Sequence, residues 1–122
     1  MSDEARGLPP AGGHYRHAVR RGSHIYTAGQ VGWNDTRQFP PGIEAQTRQA
    51  LANLRRALES EGATLGDLVT VNAYLADLGD FAAYNTEYQK VIGADPPTRT
   101  TVGVRLAPEC LVEISGVAII DT

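Results

Sequence analysis

The stretch PPTRTTVGVRLAPECLVEISGVAI, residues 96–119, alternates apolar and polar residues over most of its length. Side chains of a β-strand point alternately to the two faces of its sheet, so this alternation predicts strands. We expect two strands joined by a short turn, which is a hairpin. The face on which each side chain lies then follows from counting in steps of two.

The two arms differ in how their faces divide. In the second arm, one face is purely apolar and consists of Val112, Ile114, Ala118 and Ile120. In the first arm, the apolar face consists of Val102, Val104 and Leu106. We expect both apolar faces to lie against helices. The opposite face would then collect the polar side chains, which are Arg99, Thr101, Arg105, Glu113 and Ser115.

This polar face has two interpretations. A sheet with helices on one side only commonly exposes its other side to water. However, the same face also carries Gly103, Leu111 and Val117, which favours a surface covered by further copies of the chain. A buried arginine there would need an anionic partner, and the planar guanidinium of Arg99 suits a carboxylate.

The rest of the chain completes an α+β domain. Residues 15–28 predict a hairpin around Arg21-Gly22, and residues 29–42 predict a Gly- and Pro-rich loop. Apolar residues at helical spacing predict a helix from Ile43 that ends at Gly62, and a second helix that Asp80 caps. Between them, Val69, Val71, Ala73 and Leu75 predict one face of a strand. The order is β-β-α-β-α-β-β, with the helices on one face of a mixed sheet.

Composition narrows the class of protein. The acidic, Pro- and Gly-rich N-terminus predicts a flexible leader over residues 1–13, and the length of 122 residues predicts a single domain over 14–122. A net charge of −3 argues against a nucleic-acid partner, and Arg16, Arg20 and Arg21 are interpreted as a charged strand edge. One cysteine allows no internal disulfide and no Cys-rich zinc site. No apolar run approaches a membrane span, and we expect a cytoplasmic protein without a membrane partner.

Four segments in order resemble the RidA family, also called YjgF. Residues 96–119 are similar to its P-x-R-[ST]-x-V…L-[VK]-E-I-x-x-[IV]-A signature, and residues 14–30, HYRHAVRRGSHIYTAGQ, to its opening segment. GIEAQTRQALANLRRALESEGATLGDLV, residues 42–69, is similar to its first helix. YLADLGDFAAYNTEY, residues 74–88, is similar to its D-[FY]-x-x-x-N-x-x-Y helix. The resemblance covers nearly all of the chain from His14 onward.

The resemblance implies a chorismate-mutase-like fold and a homotrimer, whose sheets form a central barrel with ligand clefts between subunits. It also implies hydrolysis of reactive enamine or imine acids, such as 2-aminoacrylate, to 2-keto acids and ammonia. No cofactor and no metal are expected. The expected ligand is a small-molecule carboxylate.

The resemblance also implies roles for individual residues. Arg99 matches the arginine that binds the substrate carboxylate, although a surface salt bridge is the alternative. Tyr15 matches a cleft tyrosine and could instead belong to the core or an interface. Gly29 and Thr101 match cleft residues. Asn85 matches a helix asparagine, which could equally be structural.

Some positions depart from the family pattern. In deaminating members the last strand reads E-I-E-A, and the second Glu positions or activates the attacking water. Here Glu113 matches the first Glu, and Ser115 stands in place of the second. A serine needs an adjacent activator to act as a base, and His17, on the same strand face as Tyr15, is the candidate for the lost acid–base function. The alternative for His17 is a half-exposed strand residue.

Trp33, in the loop after Gly29, is either a wall of the cleft or a plug against a neighbouring subunit. Because the second Glu is replaced, three functions stay open. The chain could be an imine-hydrolysing enzyme, a pathway-specific isomerase, cyclase or tautomerase acting on a reactive acid, or a trimer that binds a keto acid without turnover. RNA cleavage is disfavoured by the acidic net charge and by the lack of a suitably placed His/Lys pair.

Overall fold

A computed structural model describes residues 3–121. Two helices carry the helical spacing seen in the sequence, α1 at Ile43–Glu59 and α2 at Phe81–Ile92. The strands are β1 (Ala18–Arg21), β2 (His24–Thr27), β3 (Gln30–Val31), β4 (Leu68–Leu75), β5 (Thr98–Gly103) and β6 (Val112–Ile119). The predicted α+β order is confirmed, with β3 as a short additional strand inside the predicted loop.

The strands form one mixed sheet in the order β1-β2-β6-β4-β5, and β3 also pairs with β6. All of these pairs are antiparallel except β4 with β5. Parallel neighbours need a long crossover, and α2 supplies it between β4 and β5. Strand β5 is therefore the edge strand at one side of the sheet.

The core lies between one face of the sheet and the two helices. Helix α1 places Leu51, Leu54 and Leu58 in the core with no exposed surface. Strand β6 contributes its apolar face, with Val112 and Ile114 fully buried. The helices thus cover one face of the sheet, as the periodicity predicts. Neither helix in the described residues has the length and hydropathy of a membrane span.

The predicted hairpin of residues 96–119 is wrong. Strand β4 lies between β5 and β6 and pairs with both of them. The connection from Val104 to Leu111 is longer than the two to five residues of common hairpin loops, and it crosses the end of β4. Alternation identified both strands correctly, but it carries no information about which strands become neighbours.

The predicted faces of β5 are also inverted. Arg99 pairs with Val71, and Thr101 pairs with Ala73, so these two polar residues point to the helix side of the sheet. Val102 points away from the helices and is 42% exposed. The reason is that β5 is the edge strand, where α2 offers polar and aromatic groups in place of an apolar core.

Two local features of the predicted elements change as well. A bulge between Leu68 and Thr70 turns Val69 out to solvent, so Leu68 takes its place in the core. Asp80 precedes α2 without a capping hydrogen bond from its side chain. Asp77 makes such a bond instead, because its carboxylate accepts from the Gly79 N–H at 2.8 Å and starts a short 3-10 turn.

Residues 3–13, which composition predicts to be a flexible leader, lie against the body of the domain in the structure. Leu8 is buried, and the Asp3 carboxylate accepts a hydrogen bond from the His17 N–H. Arg6 forms a salt bridge with Glu61. Carbonyl groups of this Pro- and Gly-rich segment make further contacts, since that of Pro9 lies 2.9 Å from the His17 Nε2 and that of Ala11 accepts from Arg37 at 3.1 Å.

Candidate functional site

Arg99 lies on a bed of three aromatic rings. The central carbon of its guanidinium is 4.6 Å from the ring centre of Tyr88, 5.4 Å from that of Tyr84 and 5.6 Å from that of Phe81. Residues three, four and seven apart share one face of a helix, so α2 presents these rings together beneath the edge strand. Cation–π attraction then holds the guanidinium in place.

The Arg99 guanidinium borders an open pocket of about 910 Å³. Asn85, Tyr88, Pro96 and Pro97 also line this pocket. Within residues 3–121, no carboxylate forms a salt bridge with Arg99. The surface salt bridge considered as an alternative is therefore absent from this part of the chain, and the guanidinium is available to an anion.

Three buried hydroxyl groups lie in the same region. Those of Tyr84, Tyr88 and Thr101 have no hydrogen-bond partner among the described residues. Burial raises the pKa of Tyr84, although the neighbouring Thr101 and Arg99 act in the opposite direction. Burial and the nearby Tyr84 raise the pKa of Tyr88 to about 12, against the opposing charge of Arg99. Both phenols are therefore neutral at neutral pH.

A second pocket, of about 640 Å³, contains Glu113. Gly29 lies directly against the carboxylate of Glu113, since a Cβ added to Gly29 would be 2.7 Å from the carboxylate carbon. Tyr15, Trp33 and Cys110 also line this pocket. The structure thus brings Tyr15, Gly29, Trp33 and Glu113 together around one pocket.

The aromatic residues of this second pocket differ in exposure. Tyr15 is 48% exposed, and its hydroxyl accepts a hydrogen bond from the Gly12 N–H at 3.2 Å. Trp33 is half-buried and lies against Phe39, with 5.8 Å between the ring centres. Tyr15 is therefore no core residue in the protomer, and Trp33 forms a wall of the pocket.

His17 is only 8% exposed, and both of its ring nitrogens are engaged. Nε2 lies 2.9 Å from the Pro9 carbonyl oxygen, and Nδ1 lies 3.2 Å from the side-chain nitrogen of Gln30. This arrangement fits a neutral imidazole that donates from Nε2 and accepts at Nδ1. A proton-transfer role for His17 would require one of these bonds to break.

Ser115 follows Glu113 on the same outer face of β6 and lies opposite Asn72 of β4. Arg99 and Thr101 lie on the helix side of β5. The expected collection of Arg99, Thr101, Glu113 and Ser115 on one face is therefore wrong. Within one protomer the cation and the carboxylate occupy two separate half-sites, because β5 pairs with β4 and not with β6, and its register with β4 turns Arg99 to the helix side.

Several residues that position these groups are not identifiable as site residues from the sequence. Tyr84 and Tyr88 recur at helical spacing, which indicates a buried stripe of α2, although the same spacing also suits rings that pack against a cation. Phe39 and Cys110 gave no signal, since they come from two loops that meet only in the fold. The described residues contain no cluster of three His, Cys, Asp or Glu side chains able to hold a metal ion.

Comparisons with known proteins identify the family. The family model described as endoribonuclease L-PSP matches residues 6–120. A 2-iminobutanoate/2-iminopropanoate deaminase of Escherichia coli K12 is 35% identical over 116 residues, which cover 91% of each chain. The mitochondrial protein mmf2 of Schizosaccharomyces pombe is 39% identical over 97 residues, which cover 80% of this chain and 77% of that protein.

Among solved structures, RidA from the Antarctic bacterium Psychrobacter sp. PAMC 21119 superposes with a TM-score of 0.88 at 33% identity. The superposition covers 94% of this chain and 95% of that one. Since the family model spans almost the whole chain, this protein belongs to the endoribonuclease L-PSP family, the RidA/YjgF family that its motifs resemble.

Proposed function

We propose that this protein hydrolyses reactive enamine and imine acids to 2-keto acids and ammonia without a cofactor. The observation that carries the proposal is the Arg99 guanidinium, held over three rings at an open pocket and free of any salt bridge within residues 3–121. A planar guanidinium binds a carboxylate through two parallel hydrogen bonds. A relative at 35% identity is named for such an activity.

The complete cleft would form between two protomers. Within one protomer, Arg99 lies on the helix side of the edge strand, whereas Glu113 points to the outer face of the sheet. That outer face leaves apolar side chains in solvent, such as Tyr26 and Val102. Trimers are typical of the family. A trimer would cover these side chains and bring Arg99 of one protomer towards Glu113 of its neighbour.

The chemistry adds one water and moves protons among carbon, oxygen and nitrogen. An enamine first takes up a proton at carbon and loses one from nitrogen, and so becomes the imine. Water then attacks the C=N carbon, and the Glu113 carboxylate accepts a proton from this water. Return of this proton to nitrogen gives the carbinolamine. Transfer of the carbinolamine's hydroxyl proton to nitrogen then lets the C–N bond break, so that ammonia leaves and the C=O bond forms. These reaction steps involve no oxidation or reduction and use no metal.

We assign the proton transfer to Glu113 because its carboxylate lies in the pocket with Tyr15 and Gly29. Ser115, the position proposed from the family pattern, lies two residues further along the strand. It would contribute a hydroxyl to the same outer face. Asn85 and Thr101 would border the carboxylate end of the substrate beside Arg99. A cytoplasmic location is part of the proposal and is testable by cell fractionation.

The test measures ammonia and 2-keto acid released from imines that an amino-acid oxidase generates in place. Truncating one member of a buried charge pair costs about 2–5 kcal/mol, so Arg99→Ala should lower kcat/KM by roughly 30-fold or more. Arg99→Lys should restore only part of the activity, because lysine lacks the planar fork. Arg99→Ala activity equal to that of the wild type would refute the proposal.

Matched variants distinguish the role of Glu113 from that of Ser115. Glu113→Gln keeps the shape and removes the base, and should lower kcat by about 100-fold or more. Ser115→Ala should retain most of the activity. If only Ser115→Glu released ammonia, the natural reaction would be a different one on the same scaffold. Binding of 2-keto acids without any turnover would support a ligand-binding trimer instead.

A further inference from the structure

The Glu113 pocket has an aromatic wall. Tyr15, Trp33 and Phe39 line it together with Val31, on the same side of the domain as the Glu113 carboxylate. Ligand pockets commonly combine apolar and aromatic walls with a few polar groups that fix orientation. A site for the smallest imino acids needs only the polar groups, so three rings in one wall call for a further explanation.

Helix α1 holds this wall in place. The side-chain amide of Asn53 donates to the carbonyl oxygens of Val31 and Trp33, each at 2.9 Å. Gly32 lies so close to α1 that an added Cβ would be 2.8 Å from the Cα of Gln46. The loop that carries Trp33 is therefore fixed at three consecutive residues.

The other side of the pocket is fixed by Gln46, which is 3% exposed. Its side-chain nitrogen donates to the carbonyl oxygens of Pro40 and Glu109, at 3.1 and 2.9 Å. Its side-chain oxygen accepts from the Leu111 N–H at 2.9 Å. These bonds join the segment next to Phe39 to the segment next to Cys110. A wall built in this way is already formed before a ligand arrives.

The N-terminal segment supports Trp33 from outside. The Arg37 guanidinium lies 5.3 Å from the Trp33 ring centre and donates to the Ala11 carbonyl oxygen at 3.1 Å. A Cβ added to Gly12 would be 3.3 Å from the Trp33 ring. Trp33 thus has neighbours on its outer side that keep its ring beside the pocket.

We infer that the natural substrate is an imino acid with a large, flat, apolar side chain, such as the imine of an aromatic amino acid. This inference rests on the proposed function for the carboxylate and C=N groups. Arg99 would bind the carboxylate, Glu113 would face the C=N carbon, and the side chain would lie among Tyr15, Trp33 and Phe39. For the phenyl case, 2-imino-3-phenylpropanoate and water give phenylpyruvate and ammonia.

The first test compares two imines that differ only by the phenyl group. D-Amino-acid oxidase produces them from D-alanine and D-phenylalanine, and both products are planar at C2. One methylene in an apolar pocket changes selectivity by about 10-fold or more, so kcat/KM for the phenyl imine should exceed that for the small imine at least about 10-fold. A preference for the small imine that depends on Arg99 would overturn the inference and leave the proposed function standing.

Variants of the wall test its role. Trp33→Ala and Phe39→Leu should each lower kcat/KM for the phenyl imine by a larger factor than kcat/KM for the small imine, and so lower the preference for the phenyl imine. Arg55→Ala, on the exposed side of α1, serves as the control and should leave the preference unchanged. An unchanged preference in both wall variants would overturn the inference even if the wild type favours the phenyl imine.

Binding provides a readout independent of turnover. Trp33 is the single tryptophan, so its fluorescence reports on the wall itself. 3-Phenylpropanoate should change this fluorescence with saturation, and propanoate should need about 10-fold higher concentration or more. Phe39→Leu retains the reporter and should weaken binding of 3-phenylpropanoate by a larger factor than binding of propanoate. Saturable binding of 3-phenylpropanoate without hydrolysis of either imine would refute the proposed function and support the ligand class. Absence of both binding and hydrolysis would overturn both.

Discussion

Gly29→Ala tests the contact between Gly29 and Glu113, on which the assignment of the base depends. An alanine Cβ at this position would lie 2.7 Å from the carboxylate carbon of Glu113, whereas ordinary contacts begin at 3.4 Å. The carboxylate carbon must therefore retreat by about 0.7 Å. The clash involves the far end of a side chain and not the backbone, so the fold itself can absorb it.

The variant should consequently lose more activity than stability. Overpacking costs about 1–3 kcal/mol, and the low end applies because a flexible group moves. A misplacement of about 1 Å at a reacting group can lower the rate by roughly 100-fold. We expect kcat/KM to fall between about 10- and 100-fold, while the free energy of unfolding falls by about 1 kcal/mol.

The assays are imine hydrolysis and denaturant unfolding of the same samples. Gly66→Ala is the matched control, since a Cβ there would be 3.5 Å from the nearest side-chain atom. In the double variant Gly29→Ala/Glu113→Ala, the three side-chain atoms that meet the new Cβ are gone, so the combined loss should be less than the sum of the two single losses. Full activity of Gly29→Ala, or strict additivity in the double variant, would refute the reasoning.

Four further predictions concern the aromatic bed and buried ionisable groups. Tyr88→Leu removes the ring nearest to Arg99 and should raise KM by about 2- to 30-fold with a smaller change in kcat, as steady-state kinetics would show; an unchanged KM contradicts it. Tyr84 and Tyr88 have raised pKa values, so they keep their protons to a higher pH in the folded state than in the unfolded state. The free energy of unfolding should therefore fall above about pH 10. Absorbance titration should show that two of the five tyrosines ionise at a higher pH than the others. Partial burial acts to raise the pKa of Glu87, but Arg48 and Lys90 outweigh this effect and lower that pKa. The Glu87 carboxylate should therefore stabilise the fold at neutral pH, and this stabilisation should be lost as the pH falls below the ordinary pKa of a glutamate. For Glu87→Gln, the free energy of unfolding should depend less on pH across the acid range. Burial raises the pKa of Cys110, so a thiol reagent should label this single cysteine only as fast as the protein opens, and fast labelling of the native protein would contradict its burial.

Comparison of the sequence with the structure shows which signals were sufficient. Helices α1 and α2 could be predicted because their apolar residues recur at helical spacing, which burial against a sheet requires. Strand β6 could be predicted because its buried residues alternate with partly exposed ones along its whole length. The four family segments led to the correct family, because their order and spacing are more specific than any single motif.

Strand β5 shows where the sequence was insufficient. Its valines look like core residues, but an edge strand over α2 places Arg99 on the helix side and Val102 outside. The same periodicity fits either orientation, and only the parallel pairing with β4 selects one of them. The packing of Arg99 against the rings of Tyr84 and Tyr88 depends on this pairing, so the alternation pattern could not predict it.

By itself, the sequence determined the class of fold and the family, and it predicted the cation and the carboxylate of the candidate site. These properties depend on local periodicity and on motif order, which are written along the chain. Only the tertiary structure decided that Arg99 and Glu113 lie in separate half-sites, and that two loops and the N-terminal segment build an aromatic wall around Trp33. These arrangements depend on strand order and long-range contacts, and alternation along a single strand does not encode its neighbours.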